Sequence, residues 1–166
     1  MIFNKYLISK LKKISHFCEV KSFKVSCAES CTGGLLSALF TEISGSSKFF
    51  DRSFVTYSNQ SKIQVLDVNP KTLNSFGAVS KETAEEMVVG VKKKSNADIV
   101  VAITGIAGPE GGTLEKPVGT VYISVFLKNN IYTNRYNFNG SRSEIRISIL
   151  NQVLENIETG IPLIKK

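Results

Sequence analysis

The feature that most constrains the fold is the apolar run DIVVAIT, from Asp98 to Thr104, and the glycine-rich segment that follows it. A run without polar alternation is typical of a strand that helices cover on both faces. Glycines directly after such a strand let the backbone approach a ligand closely, although a flexible connection has the same composition. Because a segment from Gly105 to Pro117 is long for a plain connection, we expect it to contribute to a binding site.

The rest of the chain alternates helical and strand patterns. Apolar residues at helical spacing indicate the helices, and runs of β-branched and aromatic residues indicate the strands. The predicted helices are 4–19, 35–43, 59–66, 80–95 and 142–158, and the predicted strands are 24–28, 53–58, 98–104, 118–127 and 131–138. The last two strands are joined by Lys128-Asn129-Asn130, which is typical of a hairpin. This order predicts an α/β fold, a mixed β-sheet with helices on both faces (three-layer α/β/α), in a single domain of residues 1–166.

The composition excludes several classes of protein. With 42% hydrophobic and 21% charged residues the chain is not intrinsically disordered, and no apolar run reaches the roughly 18–20 residues of a membrane span. Lysines interrupt residues 1–24, which lack the pattern of a signal peptide, so we expect a cytoplasmic protein. Three scattered cysteines and one histidine, His16, supply neither a disulfide framework nor a zinc site.

The positive charge is concentrated near the amino terminus. The net charge is +7, with six lysines and one glutamate in residues 1–24, whereas the other 142 residues hold 15 basic and 13 acidic side chains. A basic helix is typical of a surface that binds nucleic acid or membrane, but a solvated helix face has the same pattern. The nearly neutral remainder of the chain argues against nucleic acid as a partner.

The first candidate site is the turn Ala28-Glu29-Ser30-Cys31-Thr32-Gly33-Gly34, between a predicted strand and a predicted helix. Backbone N–H groups at a helix start face an anion, so Ser30 can be a nucleophile beside oxyanion donors. A glycine-rich turn that merely caps the helix has the same pattern. Cys31 is a rival nucleophile, but a cysteine mechanism usually needs a histidine base, and His16 is poorly placed.

The second candidate is the pair Tyr57 and Lys62. Tyr57 ends a predicted strand, and Lys62 lies one helical turn onward. Because strand ends converge on one edge of an α/β sheet, Lys62 can approach Ser30. A desolvated lysine has a lowered pKa and can activate a serine as a base. A surface lysine on a short helix is the alternative interpretation.

Arg142 and Arg146 form a further candidate. Because they lie four residues apart near the start of a predicted helix, they share one face of it. Such a pair suits a phosphate group, although a solvated helix face has the same spacing.

Together and in this order, these segments resemble the CinA C-terminal domain family. The resemblance covers roughly residues 5–158. It is carried by the motifs Ala28-Glu29-Ser30-Cys31-Thr32-Gly33-Gly34, Gly45-Ser46-Ser47, Phe54-Val55-Thr56-Tyr57-Ser58-Asn59 with Lys62, Gly77-Ala78-Val79-Ser80, Thr104-Gly105-Ile106-Ala107-Gly108-Pro109 and Glu115-Lys116-Pro117-Val118-Gly119-Thr120.

The resemblance implies hydrolysis of the carboxamide of nicotinamide mononucleotide to nicotinate mononucleotide and ammonia. It also implies a homo-oligomer that needs no metal or other cofactor. Ser30 matches the family's nucleophile, Lys62 its base and Tyr57 its supporting hydroxyl. We expect the following substrate-binding residues: Thr32, Gly33, Gly34, Thr104, Gly105, Gly108, Arg142 and Arg146.

Two other classes of function stay open. One is a nucleotide-binding module without catalysis. The other is a protein associated with nucleic acid, which the basic amino terminus and the competence and DNA-damage associations of the family suggest.

Overall fold

The structure is a computed structural model that describes residues 3–164, so residues 1, 2, 165 and 166 of the predicted domain lie outside the described residues. Its helices and strands alternate along the first half of the chain. In chain order they are α1 (Lys5–Lys21), β1 (Val25–Glu29), α2 (Leu35–Thr41), β2 (Phe50–Val55), α3 (Asn59–Leu66), α4 (Pro70–Phe76), α5 (Lys81–Lys94), β3 (Ile99–Gly105), β4 (Thr120–Leu127), β5 (Asn130–Asn137) and α6 (Arg142–Ile164).

The strands form one mixed sheet in the order β2-β1-β3-β4-β5. The pairs β1–β2 and β1–β3 are parallel, and β3–β4 and β4–β5 are antiparallel. The hairpin between β4 and β5 turns at Lys128 and Asn129, which both have positive φ angles, as a two-residue turn that matches the strand twist requires. The predicted hairpin is therefore confirmed.

Side chains of successive strand residues pack on opposite faces of the sheet. On β3, Val101 and Ile103 pack with apolar residues of α1, α2 and α6, whereas Val100 and Ala102 pack with those of α3, α4 and α5. Both faces of the central strand are fully buried, which explains its uninterrupted apolar sequence. The three-layer α/β/α prediction is confirmed.

Three predictions of element positions were wrong. The helix α4 was not predicted; it begins at Pro70, with Asn69 as the N-cap. The strand β2 covers 50–55 rather than 53–58, because after Val55 the chain turns so that Ser58 can cap α3. The last helix continues to Ile164 rather than to residue 158.

The parallel half of the sheet brings three chain segments to one edge. β1, β2 and β3 end at Glu29, Val55 and Gly105, so the residues that follow them meet at the carboxyl edge of the sheet.

Among the described residues, no helix is both long and apolar enough to span a lipid bilayer.

Candidate active site

Ser30 begins the turn that connects β1 to α2. Its backbone N–H donates to the carbonyl oxygen of Ile103 at 3.0 Å, which ties the turn to the end of β3. The turn then reverses through Gly33 and Gly34, both with positive φ angles that side chains other than glycine rarely adopt. The Ser30 side chain is thus held at the carboxyl edge of the sheet, and the residue is only 8% exposed.

Lys62 reaches Ser30 from the first turns of α3. Ser58 and Ser61 form a reciprocal cap at the start of this helix, which fixes its position after β2. The Lys62 Nζ lies 3.0 Å from the Ser30 Oγ and donates to the carbonyl oxygen of Thr56 at 2.8 Å. The two chain segments predicted to converge therefore meet within hydrogen-bond distance.

Burial lowers the pKa of Lys62 from its ordinary value of 10.5 to about 8, since the charged ammonium is desolvated. The side chain is 1% exposed, and none of the carboxylates described in residues 3–164 forms an ion pair with it. A substantial fraction of Lys62 is therefore neutral near pH 8. The neutral amine has a lone pair that can accept the Ser30 proton.

Cys31 lies beside Ser30 but has the opposite electrostatic tendency. Burial raises the pKa of its thiol to about 12, so it is not ionised at neutral pH. Only a thiolate is a strong nucleophile. The raised pKa therefore disfavours Cys31 as the attacking group. His16, the histidine that could serve as its base, lines a separate groove between α1 and the end of α2.

Tyr57 contacts an arginine rather than the lysine. Its hydroxyl accepts a hydrogen bond from Arg142 Nη2 at 2.9 Å, and Arg142 Nη1 donates to the carbonyl oxygen of Gly108 at 2.7 Å. Within the described residues, the hydrogen bonds of Lys62 Nζ go to Ser30 and Thr56, and none goes to Tyr57. The Thr56 carbonyl therefore orients the Lys62 amine in this geometry, and the role of Tyr57 as a supporting hydroxyl stays a prediction.

A cavity of about 260 Å³ opens in front of the Ser30–Lys62 pair. Thr104 helps to shape it, because its hydroxyl donates to the carbonyl oxygen of Ala78 at 2.7 Å. The cavity is lined by Ser30, Cys31, Tyr57, Lys62, Ala78, Val79, Thr104, Gly105, Ile106, Ala107, Gly108, Glu110, Gly111 and Arg142. The predicted substrate-binding residues Thr104, Gly105, Gly108 and Arg142 are among them.

The other predicted substrate-binding residues do not line this cavity. Gly33 N–H donates to the Ser30 carbonyl and Gly34 N–H to the Glu29 carboxylate, so neither donor is free for an oxyanion. Arg146 lies against the turn, where its Nη2 donates to the carbonyl oxygen of Thr32 at 2.6 Å. Arg142 therefore lines the cavity and Arg146 does not, so a ligand in this cavity meets one of the two guanidinium groups.

Two residues that shape the site were not predicted from the sequence. Glu29 is fully buried, and its carboxylate accepts hydrogen bonds at the start of α2; an acidic residue near a helix start was the available signal. Thr56 acts through its backbone carbonyl, for which a sequence has no signal.

Among the described residues, no group of three or more His, Cys, Asp or Glu side chains is arranged to hold a metal ion.

The model of the CinA C-terminal domain family matches residues 8–161. The chain belongs to this family. The nicotinamide-nucleotide amidohydrolase PncC of Enterobacter agglomerans is 47% identical over 130 residues, which cover 78% of this chain and 79% of that protein. A CinA-like protein of Geotalea uraniireducens is 53% identical over 125 residues, 75% of this chain but 30% of that protein.

The solved structures agree with this assignment. The competence/damage inducible protein CihA from Agrobacterium tumefaciens superposes with a TM-score of 0.92 at 41% identity, covering 95% of this chain and 96% of that one. A CinA-superfamily protein from Klebsiella pneumoniae has a TM-score of 0.90 at 30% identity, covering 94% and 98%. This CinA domain spans less than a third of the first CinA-like relatives, and most of the shorter amidohydrolase.

Proposed function

We propose that residues 1–166 form an amidohydrolase domain that converts nicotinamide mononucleotide and water to nicotinate mononucleotide and ammonia. The observation that carries the proposal is the buried pair of Lys62 Nζ and Ser30 Oγ, 3.0 Å apart beside a cavity. A serine paired with a desolvated lysine is an activated nucleophile suited to amide hydrolysis. The name of the PncC relative supplies the substrate.

The acylation step begins with neutral Lys62. Its lone pair takes the Ser30 hydroxyl proton as Oγ attacks the carboxamide carbon, which forms a tetrahedral intermediate. The protonated Lys62 then donates that proton to the amide nitrogen, and the C–N bond breaks to release ammonia. The Thr56 carbonyl holds the Lys62 amine towards Ser30 throughout.

The deacylation step uses the same groups in the reverse order. Lys62 takes a proton from water, and the resulting hydroxide attacks the acyl-serine ester. The bond to Ser30 Oγ breaks, the serine recovers its proton from Lys62, and the carboxylate product leaves. One base therefore serves both half-reactions.

The cavity walls are proposed to select the substrate. Thr104, Gly105 and Gly108 contact the ligand, because all three line the cavity. Arg142, which Tyr57 and Gly108 hold at the cavity, supplies a positive charge for the phosphate. Tyr57 thus supports the reaction through Arg142. We also propose that the protein is cytoplasmic. We further propose that it is a homo-oligomer, and size-exclusion chromatography with light scattering tests this oligomeric state.

The decisive experiment is the measurement of ammonia released from nicotinamide mononucleotide without added metal. We expect release by the unaltered protein, none by Ser30→Ala, and most of the activity in Cys31→Ala as the matched control. Activity that survives Ser30→Ala but is lost in Cys31→Ala contradicts the assignment of the nucleophile. Binding of the nucleotide without product supports a binding module, and steeply salt-dependent binding to DNA supports the nucleic-acid alternative.

A further inference from the structure

Glu29 is a buried carboxylate that the mechanism above does not use. It is 0% exposed, and among the described residues no lysine or arginine forms an ion pair with it. Its Oε2 accepts from the N–H groups of Gly34 and Leu36 at 3.1 and 2.9 Å, and its Oε1 accepts from the N–H and hydroxyl of Ser37 at 2.9 and 2.6 Å. A buried carboxylate needs such donors, and this one draws four of them from the segment that begins α2, while the Ser53 hydroxyl on β2 donates a longer bond of 3.5 Å to Oε1.

These bonds close a loop around the nucleophile. Glu29 precedes Ser30 directly, and its carboxylate binds the chain again at Gly34, so both ends of the intervening segment are held. On the other side Arg146 donates to the Thr32 carbonyl at 2.6 Å and lies close to Gly33. The turn is therefore restrained by an anion on one side and a cation on the other.

The restraint determines which N–H groups remain for a reacting carbonyl oxygen. The N–H groups of Ser30, Gly33 and Gly34 already have acceptors. Among residues 3–164, no backbone or side-chain oxygen accepts from the N–H groups of Cys31 or Thr32. Cys31 lines the cavity next to Ser30. Thr32 is fully buried and does not line the cavity, so the N–H group of Cys31 is the one suited to stabilise the oxyanion of the tetrahedral intermediate.

We propose that Glu29 is a positioning residue for amide hydrolysis, whose carboxylate holds the turn so that the N–H group of Cys31, a residue that lines the cavity, stabilises the oxyanion. This rests on the proposed function of the Ser30–Lys62 pair. Glu29 touches neither substrate nor reacting atoms; it acts through the backbone of the turn.

The test is Glu29→Gln, which replaces one carboxylate oxygen by an amide NH₂ of nearly equal size. The new donor faces N–H groups that need an acceptor, so the start of α2 must shift. A displacement of about 1 Å in a catalytic group lowers the rate by about 10²-fold. We expect kcat to fall by that factor while KM stays within about threefold and the pH midpoint near 8 is unchanged. A merely structural defect moves KM and the midpoint as well.

Pyridine-3-boronic acid is the second probe. Its boron bonds to Ser30 Oγ and becomes tetrahedral, which places an oxygen at the oxyanion position. We expect Glu29→Gln to weaken this adduct by about the same factor as kcat, while binding of nicotinamide, which is planar, changes little. Val125→Ala, a core substitution in β4, is the control for lost stability alone and is expected to keep the kcat of the unaltered protein.

Two outcomes overturn the proposal: a folded Glu29→Gln variant with kcat within threefold of the unaltered protein, or equal losses in boronic acid and nicotinamide binding. If the variant does not fold, Ser37→Ala replaces it, because it removes one donor to the carboxylate. We expect about a fivefold lower kcat at constant KM, and an unchanged kcat overturns the proposal. If the unaltered protein releases no ammonia, the proposed substrate is wrong, and the boronic acid comparison still tests Glu29.

Discussion

Replacement of Lys62 by methionine tests the physical basis of the candidate site without an assay of activity. Methionine has a similar length and no charge. The lowered pKa means that the folded protein holds the Lys62 proton less tightly than the unfolded chain does. A shift from 10.5 to about 8 corresponds to about 3 kcal/mol of unfavourable free energy in the folded, charged state.

The sign of the pH dependence follows from proton counting. Below pH 8 both states carry the proton, and the full cost of burying the charge is present. Between pH 8 and 10.5 the unfolded chain keeps the proton and the folded protein loses it, so stability rises with pH. We expect the free energy of unfolding of the unaltered protein, relative to Lys62→Met, to rise by about 2.5 kcal/mol from pH 7 to pH 10.

Urea unfolding followed by circular dichroism at several pH values measures this difference. Lys71→Met is the matched control, since Lys71 is exposed on α4 and its removal is expected to give a difference that does not change with pH. At pH 7 the Lys62→Met variant also loses the bonds to Ser30 and Thr56, which offsets part of its gain. A flat curve for Lys62→Met, parallel to the control, refutes the argument that burial lowers the pKa of this amine.

Three further predictions concern the rate, the cavity and the packing of the helices. Because the proposed mechanism needs neutral Lys62, kcat/KM is expected to rise tenfold per pH unit below pH 8 and to level above it; a bell-shaped pH profile centred below pH 7 contradicts this assignment. Tyr57→Phe removes the hydroxyl that accepts from Arg142, so steady-state kinetics are expected to show a KM about fivefold higher with kcat nearly unchanged, and a large loss of kcat at constant KM instead assigns the tyrosine to proton transfer. Gly90→Ala is expected to destabilise the fold by about 2 kcal/mol in urea unfolding, because the new methyl group meets the Leu66 carbonyl on α3; the stabilisation usual for this change in a helix is the contrary result.

The three-layer arrangement of the fold and the approach of Lys62 to Ser30 could be predicted, because both depend on local sequence patterns. An apolar run such as Ile99–Gly105 requires cover on both faces, and parallel strands place their carboxyl ends at one edge. The approach of a residue in the first turn of α3 to the residue that follows β1 is consistent with that topology.

The hydrogen-bond partners could not be predicted in the same way. The role of Glu29 depends on N–H groups that only the folded turn directs towards it, and the role of Thr56 on a carbonyl that every residue has. The position of Arg146 depends on which face of α6 packs against the turn. Spacing places it on one face with Arg142, but the distance from that face to the cavity is a property of the packing.

The Ser30–Lys62 pair and much of the cavity wall come from different segments of the chain, and this determines how the substrate specificity can be changed. Ser30 and Lys62 lie within α1–α3, whereas much of the cavity wall comes from the connection between β3 and β4, residues 106–119. On the proposed function, the reactive pair and much of the substrate-binding surface thus come from different parts of the sequence. Substitutions at an exposed position of that connection that lines the cavity, such as Glu110, test the hydrolysis of other small amides while the Lys62 amine stays buried.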